Sequence, residues 1–306
     1  MFATRHDDIV YVREPSFLYC AARALGAAAH IVARAWTVRA ARCRTAVERA
    51  VPDTYTELYF NLGPFGRHLV GPEGAGASVV PRTAWVVGPH ADSVFLAKET
   101  ADCDVVVVRV LPGMVASVLG APAAELTGRL FDLELFWERS AVNEIRERLF
   151  HERDALTRVR LVEGEVARRS HASMHDCTDI RRLCCALERV PNPSVATIAR
   201  RFGLSHRRVI SLFDEYIGLK PKEYQRVQRL RRVLERVSAG TVHSWAQLAC
   251  EIGYCDQAHL ANEFQRLAGM TPTTYVKARS SVGEGAVPHL LVNGAAALMQ
   301  GATSMP

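Results

Sequence analysis

Apolar residues recur at helical spacing through the last third of the chain, and they do so twice. Val209, Leu212, Phe213 and Tyr216 fall at i, i+3, i+4 and i+7, and about fifty residues later Leu260, Phe264 and Leu267 mark the same kind of face. A shorter predicted helix precedes each, with the small Ala199 or Ala249 where two helices must approach closely. Gly203 and Gly253 then supply the backbone freedom of a tight turn, and Ser205 and Asp256 are suited to cap the helix that follows. Phe213, Gly218, Pro221 and Tyr224 recur at one offset as Phe264, Gly269, Pro272 and Tyr275. One structural unit, a helix-turn-helix, is therefore expected in two copies.

Between the copies, Pro221 to Val237 reads as a single helix, with Pro at an early position and Tyr224, Val227, Leu230, Val233, Leu234 and Val237 as its buried stripe. At about 1.5 Å per residue it spans roughly 25 Å. With the helix widths added, the second helices of the two units are expected about 34 Å apart, one turn of B-DNA. Their polar faces carry Arg207, Arg208 and Ser211 in the first copy and Gln257, His259 and Asn262 in the second. Such side chains reach base edges or phosphates in a major groove. Arg226, Arg229, Arg231, Arg232 and Arg236 on the linking helix form either phosphate contacts or a solvated basic face, and Arg229 and Arg232 are taken here as candidate phosphate contacts.

These features resemble the AraC/XylS transcriptional regulators over about 95 residues, roughly Arg182 to Arg279, including both turns, the linking helix and the Gly-x-x-Pro-x-x-Tyr ending of each half. The resemblance implies that the polar faces read promoter DNA through Arg207, Ile210 and Ser211 in one helix and Gln257, Ala258, His259 and Asn262 in the other. Ile210 and Ala258 have no hydrogen-bonding side chain, and Ser211 and Asn262 stand where arginine is often found. RNA polymerase is a further partner of such a regulator, and a homodimer is a family expectation.

Ahead of this half the pattern is that of strands. Short apolar runs separated by Gly and Pro occur at 35–38, 57–62, 78–80, 84–87, 93–96 and 104–110, which predicts a small barrel or sandwich. The stretch 63–76, rich in Gly and Pro, reads as a long hairpin loop. After Pro112 the spacing becomes helical, at 114–119, 123–126, a longer run 132–150, and again from about Asp154. The fold class is thus α+β: a β-rich N-terminal domain with helices over 1–165, a linker over 166–181, an all-α domain over 182–280 and a loose tail over 281–306.

The pieces Val51-Pro52-Asp53 with Glu57 to Gly63, and Val108 to Gly113 with Gly120 to Leu126, resemble the sensor region of a subset of AraC-like regulators. That implies binding of a small-molecule effector, dimerisation, or both. Tyr59, Asn61, Trp85 and Arg109 are the candidate effector contacts, with His68 and His90 behind them; Tyr59 and Trp85 equally suit a core. Arg109 in an apolar strand needs a partner, either a carboxylate on a helix or the effector.

Charge divides the chain in the same way. Residues 181–279 carry 17 Lys and Arg against 8 Asp and Glu, whereas residues 1–180 carry 21 against 23, so the basic excess lies where a phosphate backbone is met. Nothing reads as a membrane span or a secretory signal, and a cytoplasmic location follows by default. The eight cysteines lack a Cys-x-x-Cys pair, and His171, His175 and Cys177 want a fourth ligand, so neither metal nor cofactor is expected. No Gly-x-Ser-x-Gly, phosphate cradle or His-Glu-x-x-His is present, and the chain is not read as an enzyme. The reading is a sequence-specific DNA-binding transcriptional regulator. Its alternatives are a structural DNA binder that contacts phosphates alone and, behind it, an enzyme fused to a DNA-binding domain.

Overall fold

The computed structural model describes residues 2–6, 9–43, 47–64, 67–70, 78–79, 83–92, 94–98, 101–170, 178–189 and 193–280. The strands are β1 (Phe2–His6), β2 (Ile9–Glu14), β3 (Phe17–Arg23), β4 (Val32–Cys43), β5 (Val47–Ala50), β6 (Thr56–Asn61), β7 (Arg67–Val70), β8 (Ser78–Val79), β9 (Ala84–Val87), β10 (Val94–Lys98), β11 (Ala101–Val110) and β12 (Leu130–Asp132). They form two antiparallel sheets, one of eight strands in the order β1-β2-β3-β4-β11-β6-β9-β12 and one of four in the order β5-β10-β7-β8.

The valine run of β11 is central to the large sheet. It pairs with β4 on one side and β6 on the other, so successive residues face opposite layers and both layers are apolar. Val106, Val108 and Val110, with Leu58, Phe60, Ala84 and Val86, join the core shared with the helices α1 (Val115–Leu119), α2 (Ala123–Leu126), α3 (Arg139–His151) and α4 (Ala155–Arg169). Val105 and Val107 face the other way, among Tyr19, Trp36, Tyr59 and Trp85.

The all-α half follows the periodicity closely. α5 (Thr178–Leu187), α6 (Val195–Arg201) and α7 (His206–Tyr216) make the first helix-turn-helix, α8 (Pro221–Ser238) is the linking helix, and α9 (Trp245–Ile252), α10 (Gln257–Ala268) and α11 (Pro272–Ser280) make the second unit. Gly203 and Gly253 both take positive φ, 64° and 90°, and so do what a residue with a Cβ does only with strain. Ser205 accepts from Arg208 N at 3.1 Å and Asp256 from His259 N at 2.7 Å, capping α7 and α10. All six residues of the predicted α8 stripe are buried.

The N-terminal half departs from expectation at several points, among them the short strands β5 and β12, which fall outside the expected strand runs. β1, β2 and β3 were not anticipated, since alternation there is blurred by Ala21, Ala22 and the charged residues of the first fourteen positions. Arg67–Val70, expected within a loop, is a strand paired with β10. The run 132–150 is not one helix: Asp132 accepts from Glu134 N at 2.9 Å and caps a single 3-10 turn, and α3 starts only at Arg139. His171, His175, Cys177 and the segment 281–306 lie outside the described residues.

Candidate nucleic-acid interface

The second helix of each unit, α7 or α10, divides sharply into an inner and an outer face. On α7, Val209, Leu212 and Phe213 are buried while Arg207, Arg208 and Ser211 are exposed. On α10, Leu260, Phe264 and Leu267 are buried, Gln257 and Asn262 are exposed, and His259 is half-buried. The structure thus brings the polar residues of each copy onto one solvent-facing surface. His259 is held in a defined state: its Nδ1 accepts from Cys255 N at 3.3 Å, and its ring meets Tyr254 edge-on at 5.3 Å. With Nδ1 accepting, the neutral ring carries its proton on Nε2, which makes the outer nitrogen a donor suited to an acceptor on a base edge.

The linking-helix arginines make internal contacts. Arg226 Nε donates to Glu263 Oε1 at 2.8 Å and Arg229 to Glu263 Oε2 at 3.0 Å, tying α8 to α10. The Arg229 guanidinium also lies 4.9 Å over the Tyr254 ring. Arg232 donates to the Glu188 carbonyl beyond α5, and Arg236 pairs with Glu251 at 3.0 Å. Glu263 stands beside Asn262 on the recognition helix but faces α8, a role that local spacing does not reveal.

The first unit also meets the N-terminal domain. α1 and α2 pack on α7. Gly113 N donates to Tyr216 O at 3.1 Å, and the Thr127 hydroxyl donates to Gly218 O at 2.6 Å. Gly218, at φ 80°, is required twice over, because a Cβ there would lie 2.6 Å from Ala123 O and 2.5 Å from Thr127 Oγ1. Val51 enters the apolar cluster of Leu230, Leu234 and Leu248, and Ala91 packs on the cluster around Phe213.

An ionic group completes this seam. Arg109 pairs with Glu57 on the adjacent strand β6 at 2.5 Å and with Asp53 at 3.2 Å. Its partners are therefore a strand neighbour and a loop, not a helix. Arg231 of α8 approaches the same Asp53 at 3.9 Å and lies 4.4 Å over the Tyr55 ring, so one buried carboxylate faces an arginine from each domain. Burial alone would raise the Asp53 pKa; Arg109 and Arg231 outweigh it and hold the carboxyl below its usual range. Against the cost of burial, Asp53 keeps both guanidiniums charged, with Glu57 adding to it at Arg109 and Tyr55 at Arg231.

Of the other candidate effector residues, Tyr59 stacks on Trp85 with centroids 5.1 Å apart and donates to Glu57 Oε2 at 2.5 Å. Asn61 is buried; its side-chain oxygen accepts from Gly63 N at 3.3 Å and its carbonyl accepts from Arg146. The His90 ring lies between the carbonyls of Val51 and Gly88, at 3.0 and 3.3 Å. The side chain of His68 lies outside the described residues.

Residues 198–278 match the model of a helix-turn-helix domain of the AraC type. The C-terminal domain belongs to this family. The AraC-type domain makes the chain a DNA-binding transcription regulator, with double-stranded DNA as its partner. Residues 27–132, which run from the approach to β4 through β12, match a domain of unknown function. Among solved structures, the chain is similar to ToxT from Vibrio cholerae with an unsaturated fatty acid bound, at 13% identity, covering 87% of this chain and 97% of that one with a TM-score of 0.45. It is also similar to an AraC-type regulator from Chromobacterium violaceum, at 24% identity, covering 34% and 90% with a TM-score of 0.30. No curated protein matches the chain. Among the described residues, no helix is long and apolar enough to cross a membrane.

Proposed function

We propose that α7 and α10 enter successive major grooves of a promoter, with Arg207, Arg208 and Ser211 facing one and Gln257, His259 and Asn262 the other. The observation that carries this reading is the pair of matched polar faces on two capped helices. An interior of Leu and Phe lies behind each face, and α8, about 27 Å long at 1.5 Å per residue, separates them. A purely structural binder would contact phosphates without selecting a sequence. Side chains able to donate and accept at base edges favour selection, and the reading is of a regulator rather than an enzyme, acting in the cytoplasm on promoter DNA and meeting RNA polymerase there. Arg229 and Arg232 would contact phosphate only by giving up Glu263 and the Glu188 carbonyl, so the phosphate contacts of this reading fall first to Arg207 and Arg208.

The N-terminal domain controls this activity through a small-molecule effector, through dimerisation, or both. Its aromatic layer of Tyr59 and Trp85 ends at the Arg109 group, which Asp53 joins to α8, so occupancy of that layer is positioned to act on the seam. The division into an N-terminal domain, a linker and a DNA-binding domain belongs to this reading, although the expected limits at 165 and 182 fall inside α4 and α5 rather than at their ends.

Selection of bound sequences from a random DNA pool by the full-length protein tests the reading. The expected result is a motif with two elements about one helical turn apart. Replacing Gln257 or His259 by Ala should relax preference at one position of the second element, by about 1–3 kcal/mol for a good bidentate contact. An equal loss on all sequences would remove base reading from these residues.

A further inference from the structure

Most arginines of this molecule that lie near a carboxylate are neutralised by it. Arg109, Arg139, Arg158, Arg160, Arg226 and Arg229 each have an acidic partner within 3.3 Å. A groove on the first helix-turn-helix is the exception. It has a volume of about 670 Å³ and lies between α5 and the end of α6, and Arg181, Arg182, Arg189 and Arg201 converge on it. Asp179 is the acidic residue at its rim. All four arginines are exposed, and among the described residues none of them makes an ion pair; Arg182 lies 5.7 Å over the Phe202 ring. Bringing four like charges to one concavity with a single carboxylate at its rim is unfavourable, and an anion in the groove would reverse the sign of that cost.

We infer that this groove takes the phosphate backbone of the bound DNA, flanking the major groove that α7 enters. The inference rests on the proposed DNA reading and extends it by assigning a new contact surface. Position favours a DNA strand over other anions. Phe202 and Leu204, which line the groove, belong to the turn that leads into α7, and Ser205 is its cap. Arg201 of the groove is thus joined, through the short turn 202–205, to the helix that carries Arg207 and Arg208. Guanidiniums donate in a planar fork that matches phosphate oxygens, and the apolar floor suits the sugar between them. A strand leaving the reading helix thus continues along the arginines of α5.

The test is the salt dependence of full-length protein binding to its selected site. The Arg181→Ala/Arg201→Ala double variant keeps the Arg182 contact with Phe202 and removes two charges. It should flatten the slope of log affinity against log salt by about 1.8, at about 0.9 per lost phosphate contact, with the selected sequence unchanged. The Arg181→Lys/Arg201→Lys variant, which keeps the charge, should restore most of the slope and rules out misfolding as the cause. An unchanged slope in the alanine variant, with selection intact, would overturn the groove assignment and leave the base reading standing. Polyglutamate binding that is lost in the alanine variant while the DNA slope stays put would assign the groove to an acidic protein segment instead, and also overturns it. Failure of the unaltered protein to select any sequence sinks the DNA reading and this inference together.

Discussion

Recognition helix α7 ends against the N-terminal domain, where Gly113 and Thr127 donate to the carbonyls of Tyr216 and Gly218, whereas α10 is fastened to α8 through Glu263. Both units share the same turn glycine, the same type of cap and the same Gly-x-x-Pro-x-x-Tyr ending. What differs is the surface each leans on. The first packs on the N-terminal half, while the second is fastened to the linking helix. α8 connects the two, because Arg231 faces Asp53 of the N-terminal domain while Arg226 and Arg229 hold α10. Duplication thus leaves one unit under direct contact from the N-terminal domain and couples the other to it through a rigid strut.

The comparison breaks most severely at Glu263. Its carboxylate is nearly buried and serves two arginines, one of them also well covered. Glu263→Ala strands those charges, and removing one partner of a buried pair costs about 3–5 kcal/mol. We expect a loss of that order in chemical denaturation, with DNA contacts of the second element lost before those of the first; equal weakening of both elements would show that Glu263 does not act through α10 alone.

Next in size is Gly218. Gly218→Ala forces a Cβ against Ala123 O and Thr127 Oγ1 in a left-handed backbone. Overpacking costs about 1–3 kcal/mol and the backbone strain about 1 more. Gly269 is the matching position of the second copy, with φ 72°. Gly269→Ala should cost less than Gly218→Ala by about 1–2 kcal/mol if the seam is what distinguishes the two copies. Thermal unfolding of the two variants side by side decides it, and equal losses would remove the seam from the account.

The helical half was legible because each of its devices is local. A cap, a turn glycine and an i, i+3, i+4 stripe act within a dozen residues, and all three are found where the pattern puts them. The β-rich half was legible where strands are buried on both faces, as in Val105 to Val108. It was not legible in β1 and β3, where Ala and Arg stand among the strand-forming residues, nor in β2, where Ile9 to Val12 form a short unbroken apolar run without alternation. At the site, the outer faces of α7 and α10 followed from periodicity. The partners of Arg226, Arg229 and Arg231 did not, since Glu263 and Asp53 lie far from them along the chain and only the fold brings them together. The basic stripe of α8 looked like a nucleic-acid surface for that reason: charge is visible in a sequence, but neutralisation is not.

The smallest effect sharpens the comparison through pH. Asp53 has its carboxyl pKa lowered in the folded protein, burial being outweighed by Arg109 and Arg231. A depressed carboxylate contributes stability that is fully present above the unfolded value of about 3.9 and is lost as pH falls through the folded value. The seam between the N-terminal domain and α8 should therefore weaken in acid, below about pH 4. Asp53→Asn removes the titrating group, leaves Arg109 with Glu57 and Arg231 with Glu235, and should cost about 1–2 kcal/mol at neutral pH. The difference in stability between the original protein and Asp53→Asn should hold from pH 6 down to about 4 and shrink as pH falls from 4 to 3. A difference that stays constant across that range would mean that the Asp53 charge does not hold α8 to the N-terminal domain, and the strut would then rest on the Val51 packing and the stacking of Arg231 on Tyr55.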